Sequence, residues 1–140
     1  MTTLARWIAA LAMAAASLAT VQTPLRVVFL GDSYTDPNGA PTWAALLSAE
    51  NGWTETNLAY GGTGYLRTHT PPPVWGKCDT VGVECPSFAQ LVDEVAAQNP
   101  NLVFILGGRN ELGQETSTAW QDGVQAFLAA LHAAVPTAMV

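Results

Sequence analysis

In Leu25-Arg26-Val27-Val28-Phe29-Leu30-Gly31-Asp32-Ser33-Tyr34-Thr35, an apolar and β-branched run gives way at a glycine to a polar segment. A short run of this kind, bounded by a turn signal, reads as a buried strand. The polar half then lies at the carboxyl end of that strand, where the chain turns toward a helix and where α/β sheets gather their working residues. Gly31 permits the turn, and Ser33 would present its hydroxyl at the sheet edge. Taken alone, Gly-Asp-Ser is an ordinary polar turn.

The pattern repeats along the chain. Pro41 to Asn51 is predicted as a helix with Trp43, Leu46 and Leu47 on one buried stripe, stopped by Asn51-Gly52. Thr54 to Tyr60 is a second strand, ending in Gly61-Gly62-Thr63-Gly64. A long loop follows through Pro71-Pro72-Pro73 and the two cysteines, Cys78 and Cys85. Ser87 opens a helix with Gln90 completing a capping box. Phe88, Leu91, Val92, Val95 and Ala96 form its buried face, and Pro100 ends it. Leu102 to Leu106 is a third strand, closed by Gly107-Gly108. Ser117 to Ala134 is a final helix burying Trp120, Val124, Phe127, Leu128 and Leu131, and Thr137 to Val140 starts a fourth strand. Strands alternating with helices imply parallel pairing, helices on both faces and a three-layer, flavodoxin-like α/β sheet. The three glycine-bearing segments then fall at one sheet edge and define one site.

The chain has 140 residues, 49% hydrophobic and 11% charged, which suits one packed domain. A net charge of −6 with five Lys and Arg excludes a nucleic-acid partner. Arg6 before the uncharged Trp7–Ala16 run, followed by Ser17-Leu18-Ala19, reads as a secretory signal peptide over residues 1–19, with export as the consequence. A core helix and a membrane anchor are the rival readings of that leader, and membrane contact is expected only through it, if uncleaved. In an oxidising compartment Cys78 and Cys85 are expected to form a small disulfide loop. No metal site is expected, since His69 stands apart from other ligands. Residues 25–140 form the domain, which is expected to be C-terminally incomplete because a fourth strand begins within a few residues of Val140.

Three segments carry chemistry. A serine at a strand end with free backbone N–H groups nearby can attack a carbonyl. Gly62, after the second strand, lets a substrate carbonyl approach the backbone closely enough for its N–H to serve as an oxyanion donor. In Gly107-Gly108-Arg109-Asn110-Glu111, the Asn110 amide is a further donor. The Gly62-Thr63-Gly64 spacing also hints at a dinucleotide loop, but Arg67 stands where that fingerprint has its third glycine.

Together and in this order the segments resemble the SGNH hydrolase family, the GDSL-type esterases and lipases. Gly31-Asp32-Ser33-Tyr34-Thr35 is similar to its first block, with Ser33 at the nucleophile. Gly62, five residues after Asn57, is similar to the second-block glycine. Gly108-Arg109-Asn110 matches the third block, with Asn110 as oxyanion asparagine and Gly31, Asp32, Gly108 and Glu111 as supporting residues. The resemblance spans roughly Leu25 to Val140. It implies serine-dependent hydrolysis of a short-chain, lipid or acetylated-glycan ester through an acyl-enzyme, without metal or organic cofactor.

Two positions depart from that pattern. Glu111 stands where the family has Asp, and no Asp-x-x-His block is present. His69 is preceded at that spacing by Leu66, and His132 by Ala129 on the last helix, away from the active edge. A serine hydroxyl needs an imidazole to take its proton, so these residues by themselves are expected to be inactive, with the Asp and His supplied downstream. The alternatives are a carbohydrate- or acyl-binding module on the same scaffold and a phosphate binder using Ser33, Tyr34 and Thr35.

Overall fold

A computed structural model describes residues 23–37, 41–70, 82–114 and 116–140. The expected leader and Cys78 lie outside the described residues.

Three parallel strands, β1 (Arg26–Gly31), β2 (Thr54–Asn57) and β3 (Leu102–Leu106), lie in the order β2-β1-β3. The register sets Arg26 opposite Thr54 and Val27 opposite Leu102. The central strand is buried from Val27 to Gly31, which is why it reads as a continuous apolar run instead of an alternating one. Its side chains still alternate between faces. Val27 and Phe29 meet Ala44 and Trp43 on helix α1 (Trp43–Asn51). Val28 and Leu30 enter a larger cluster with Phe88, Leu91, Val95, Phe127 and Leu131. That second cluster covers the face occupied by α2 (Val92–Ala97) and α3 (Thr118–Ala134). Helices on both sides of the sheet make the three-layer α/β fold expected from the alternation of elements.

The α1 face is built on aromatic rings. Phe29 stacks on Phe104 with centroids 5.1 Å apart, and Trp43 meets Phe29 edge-on at 5.4 Å. Helix α1 starts two residues later than the sequence suggests. Thr42 is its N-cap, with Oγ1 accepting from Ala45 N, and Gly52 closes it at φ 65°. Its buried stripe also differs from the expected one. Ala44 and Ser48 are buried, whereas Leu46 is 62% exposed. At about 100° per residue, positions 44 and 48 point the same way and Leu46 faces roughly the opposite side.

Strand β2 ends at Asn57, short of the expected Tyr60. The Asn57 side chain accepts from Ala59 N at 3.0 Å, turning the chain locally. Leu58 N and Tyr60 N nevertheless donate to Phe29 O and Gly31 O, so the segment stays beside β1 up to the site. The helix expected from Ser87 begins as a 3₁₀ turn (Phe88–Leu91) before becoming α2, and Gln90 Oε1 accepts from Ser87 N at 2.9 Å as a capping box requires. Ser117 caps α3, its Oγ accepting from Trp120 N. Of the face expected on α3, Phe127 and Leu131 are buried, while Trp120, Val124 and Leu128 are half-buried. Beyond α3, Met139 pairs in parallel with Leu102 at the outer edge of β3, where the start of a fourth strand is expected. Among the described residues no helix is long and apolar enough to cross a membrane.

Candidate active site

Buried polar residues are the informative ones in a small domain, and here most of them collect at the carboxyl ends of the strands. Asp32, Thr35, Asp36, Thr63 and Glu111 are at most 6% exposed. The turn after β1 holds Ser33 at its tip. Asp32 O accepts from Thr35 N (2.9 Å) and Asp36 N (3.0 Å), and Asp32 Oδ1 accepts from Tyr34 N at 3.0 Å. This leaves the buried Asp32 carboxylate under the turn and the Ser33 side chain exposed above it. Gly31 allows the tightness: a Cβ there would lie 2.5 Å from Thr35 Cβ.

The loop after β2 is tied to this turn at several points. Asn57 Nδ2 donates to Thr35 O at 3.0 Å, and Gly61 N donates to Asp36 Oδ2 at 2.8 Å. A Cβ on Gly61 would lie 3.8 Å from Ser33 Cβ, so the two segments are in contact. With the Gly61 N–H engaged by Asp36, the next N–H in the loop belongs to Gly62, at φ 80°. Neither Gly62 N–H nor Ser33 N–H donates to any described residue.

The third segment enters from the end of β3. Gly108, at φ 105°, precedes a 3₁₀ turn (Arg109–Glu111) whose Glu111 N donates to Gly108 O at 3.2 Å. Asn110 Nδ2 donates to Thr63 O at 2.7 Å, and Asn110 O accepts from Arg67 Nη1 at 2.7 Å. A carboxamide nitrogen carries two protons, and the bond to Thr63 uses one of them. The three segments singled out in the sequence therefore meet, with Ser33, Gly62 and Asn110 on one edge of the sheet.

Glu111 is more than a lengthened turn residue. It is fully buried, and its Oε1 accepts from Leu66 N at 3.0 Å. Its carboxylate lies beneath Gly64, in the space a side chain at 64 would take. Close by, burial pushes the Tyr65 phenol above its ordinary value, with the negative charges of Glu111 and then Asp32 adding to the effect. Tyr60 is raised as well, first by burial, then by Glu94 and Asp36.

Sequence reasoning passed over several of these residues. Asp36 and Arg67 hold the site together through hydrogen bonds, with polarity beside apolar strands as their sequence signal, and Asn57, which opens the second segment, does the same. His69, given no role beyond standing apart from other metal ligands, lies against the backbone of Gly62. His132 lies away from the site, lining a groove with Leu102, Val103 and Met139 along β3. Cys85 is buried and pairs through its backbone with His69, and its expected partner Cys78 lies outside the described residues. Among the described residues no group of three or more His, Cys, Asp or Glu side chains is placed to hold a metal ion. A cavity of about 410 Å³ opens beside the Ser33 turn, lined by Asp32, Tyr34, Trp43, Leu106, Gly107 and Arg109.

The GDSL-like Lipase/Acylhydrolase family matches residues 29–140. No curated protein matches the chain. Among solved structures, the chain is similar to a family two carbohydrate esterase from Clostridium thermocellum, solved in complex with cellohexaose. The identity is 18% and the TM-score 0.50, over 83% of this chain and 42% of that one. A likeness at this identity concerns the fold, and the chain spans less than half the length of that structure.

Proposed function

Because the chain belongs to the GDSL-like Lipase/Acylhydrolase family, we propose that it hydrolyses carboxylic esters through an acyl-enzyme on Ser33. The observation that carries this reading is the gathering, beside an exposed serine, of donors that no described residue engages: Ser33 N–H, Gly62 N–H and the second amide proton of Asn110. Donors fixed in advance stabilise the oxyanion of a tetrahedral intermediate without reorganising as charge develops. In this reading Ser33 Oγ attacks the ester carbonyl while an imidazole takes its proton. The alcohol leaves with that proton, and water then releases the acid by the same path. The sequence holds no Asp-x-x-His, so the imidazole is assigned to a downstream Asp/His pair, and the test is made on the complete gene product.

The substrate proposed is a carbohydrate ester. Tyr34, 62% exposed directly after the serine, and Trp43 are among the residues lining the adjoining cavity, and aromatic side chains with a polar handle suit amphipathic ligands such as sugars. The related fold also occurs in a carbohydrate esterase whose structure is in complex with cellohexaose. Export through the 1–19 leader and a Cys78–Cys85 disulfide are proposed with it, the latter supported by the lack of a free cysteine among the described residues.

The test is hydrolysis of a small activated ester, with labelling by a serine-directed phosphonate. Wild-type protein should turn over and take one label, and Ser33→Ala should lose both while keeping its circular dichroism spectrum. Activity surviving in Ser33→Ala would refute the assignment. Glycan binding without hydrolysis or labelling would favour the non-catalytic module.

A further inference from the structure

We infer that His69 is a positioning residue for the oxyanion loop, a role that rests on the ester-hydrolase reading and extends it to a side chain outside the three sequence blocks. A Cβ built on Gly62 would lie 2.5 Å from His69 Cδ2, 2.7 Å from Cγ and 3.0 Å from Nε2. The imidazole thus fills the volume that any side chain at 62 would need. Gly62 also holds φ 80°, a conformation costly for other residues. The glycine is therefore required twice, once by its backbone and once by the ring lying on it.

The backbone that carries the ring is itself held in place. His69 N donates to Cys85 O at 3.2 Å and Cys85 N donates back to His69 O at 2.6 Å, and Cys85 is 1% exposed. Gly64 N donates to Arg67 O at 3.0 Å, closing the chain between glycine and histidine into a compact turn. On the other side, Asp36 Oδ2 accepts from Gly61 N at 2.8 Å. The Gly61-Gly62 segment is therefore flanked by a carboxylate bonded to the N–H of Gly61 and an imidazole packed on Gly62. Ser33 Cβ lies 3.8 Å from where a Cβ on Gly61 would stand, and the Gly62 N–H donates to no described acceptor. An oxyanion donor acts through its fixed direction, and glycine is the residue least able to fix its own backbone. The flat ring on Gly62 supplies what the missing side chain cannot.

The experiment compares His69→Ala, His69→Phe, Gly62→Ala and the Gly62→Ala/His69→Ala double variant in the complete protein, with Ser33→Ala alongside. For a small activated ester, His69→Ala should lower kcat by about 10- to 100-fold, the scale of a small misplacement of a catalytic group, with KM nearly unchanged. His69→Phe, which keeps a flat ring, should recover most of the loss. The loss from Gly62→Ala should be smaller in the His69→Ala background, because the added methyl then has room. Independently of turnover, the Gly62 amide resonance should move in His69→Ala and stay near its wild-type position in His69→Phe.

An unchanged kcat in His69→Ala would overturn the role, as would a loss confined to KM, a His69→Phe variant as poor as His69→Ala, or strict additivity of the two substitutions. A Gly62 amide that ignores His69→Ala would overturn it even in a protein without turnover. Hydrolysis that survives Ser33→Ala, by contrast, strikes at the ester-hydrolase reading and leaves the amide measurement to decide the placement of His69. Should His69→Ala fail to fold, His69→Leu fills the volume without a flat ring and serves in its place.

Discussion

Alanine at position 64 will drive a methyl group into the carboxylate of Glu111, which is fully buried and has no open side to retreat to. Overpacking of this kind costs about 1–3 kcal/mol. Displacing the carboxylate also strains its bond from Leu66 N, and a hydrogen bond to a charged group contributes about 1.5–3 kcal/mol. Gly64→Ala should therefore lose roughly 2–5 kcal/mol. At about 3–6 °C per kcal/mol for a domain of this size, the thermal midpoint should fall by roughly 6 °C or more. Glu111→Asp alone should lose about 1–3 kcal/mol, because the shorter side chain withdraws from Leu66 N. Combined, the two substitutions should cost about 1–2 kcal/mol less than their sum, since the retracted carboxylate leaves space for the methyl. Urea unfolding followed by tryptophan fluorescence measures all four proteins. An unperturbed Gly64→Ala midpoint would refute the placement of Glu111 beneath Gly64, and so would additivity within about 0.5 kcal/mol.

Asn110→Ala should lower kcat about 10²- to 10³-fold, the usual effect of deleting one oxyanion donor, measured with an activated ester. Its thermal midpoint should also drop, because Thr63 O loses the 2.7 Å bond. Gly31→Ala should destabilise by about 1–3 kcal/mol through overpacking against Thr35, and a calorimetric midpoint equal to wild type would contradict this. Alkaline stability should fall above about pH 10, the ordinary tyrosine value, because folded Tyr60 and Tyr65 keep their protons to higher pH than the unfolded chain does. Between the unfolded and folded pKa the native state binds more protons, so stability decreases as pH rises. Tyr65→Phe should flatten part of that decline in urea titrations at pH 9 to 11.

Much was legible in the sequence because it depends on local chain chemistry. The apolar run Val27–Leu30 specifies a strand buried on both faces, and the strand–helix alternation specifies parallel pairing. Ser87/Gln90 and Ser117 mark helix starts through bonds made within a few residues. Ser33, Gly62 and Asn110 could be placed on one edge because parallel strands deliver all their carboxyl ends to the same side. The error at Leu46 arose within a single helix, where hydrophobicity marks a candidate face but packing against Phe29 and Phe104 chooses the real one.

Only the tertiary structure decided the rest. Asp36 reaches Gly61, Asn57 reaches Thr35, Arg67 reaches Asn110, Glu111 fits under Gly64 and His69 lies on Gly62. Position marked Asn57 and Glu111 as parts of the second and third segments, but none of these side chains carries a signal for its partner, because each partner is brought beside it by an element distant in sequence. The sequence by itself determined the strands, their direction and the edge where the chemistry gathers, since those follow from backbone propensity and hydrophobic burial. Which polar groups are matched there, and which N–H groups remain free, depends on distances of about 3 Å between loops, and only the packed sheet sets distances that fine.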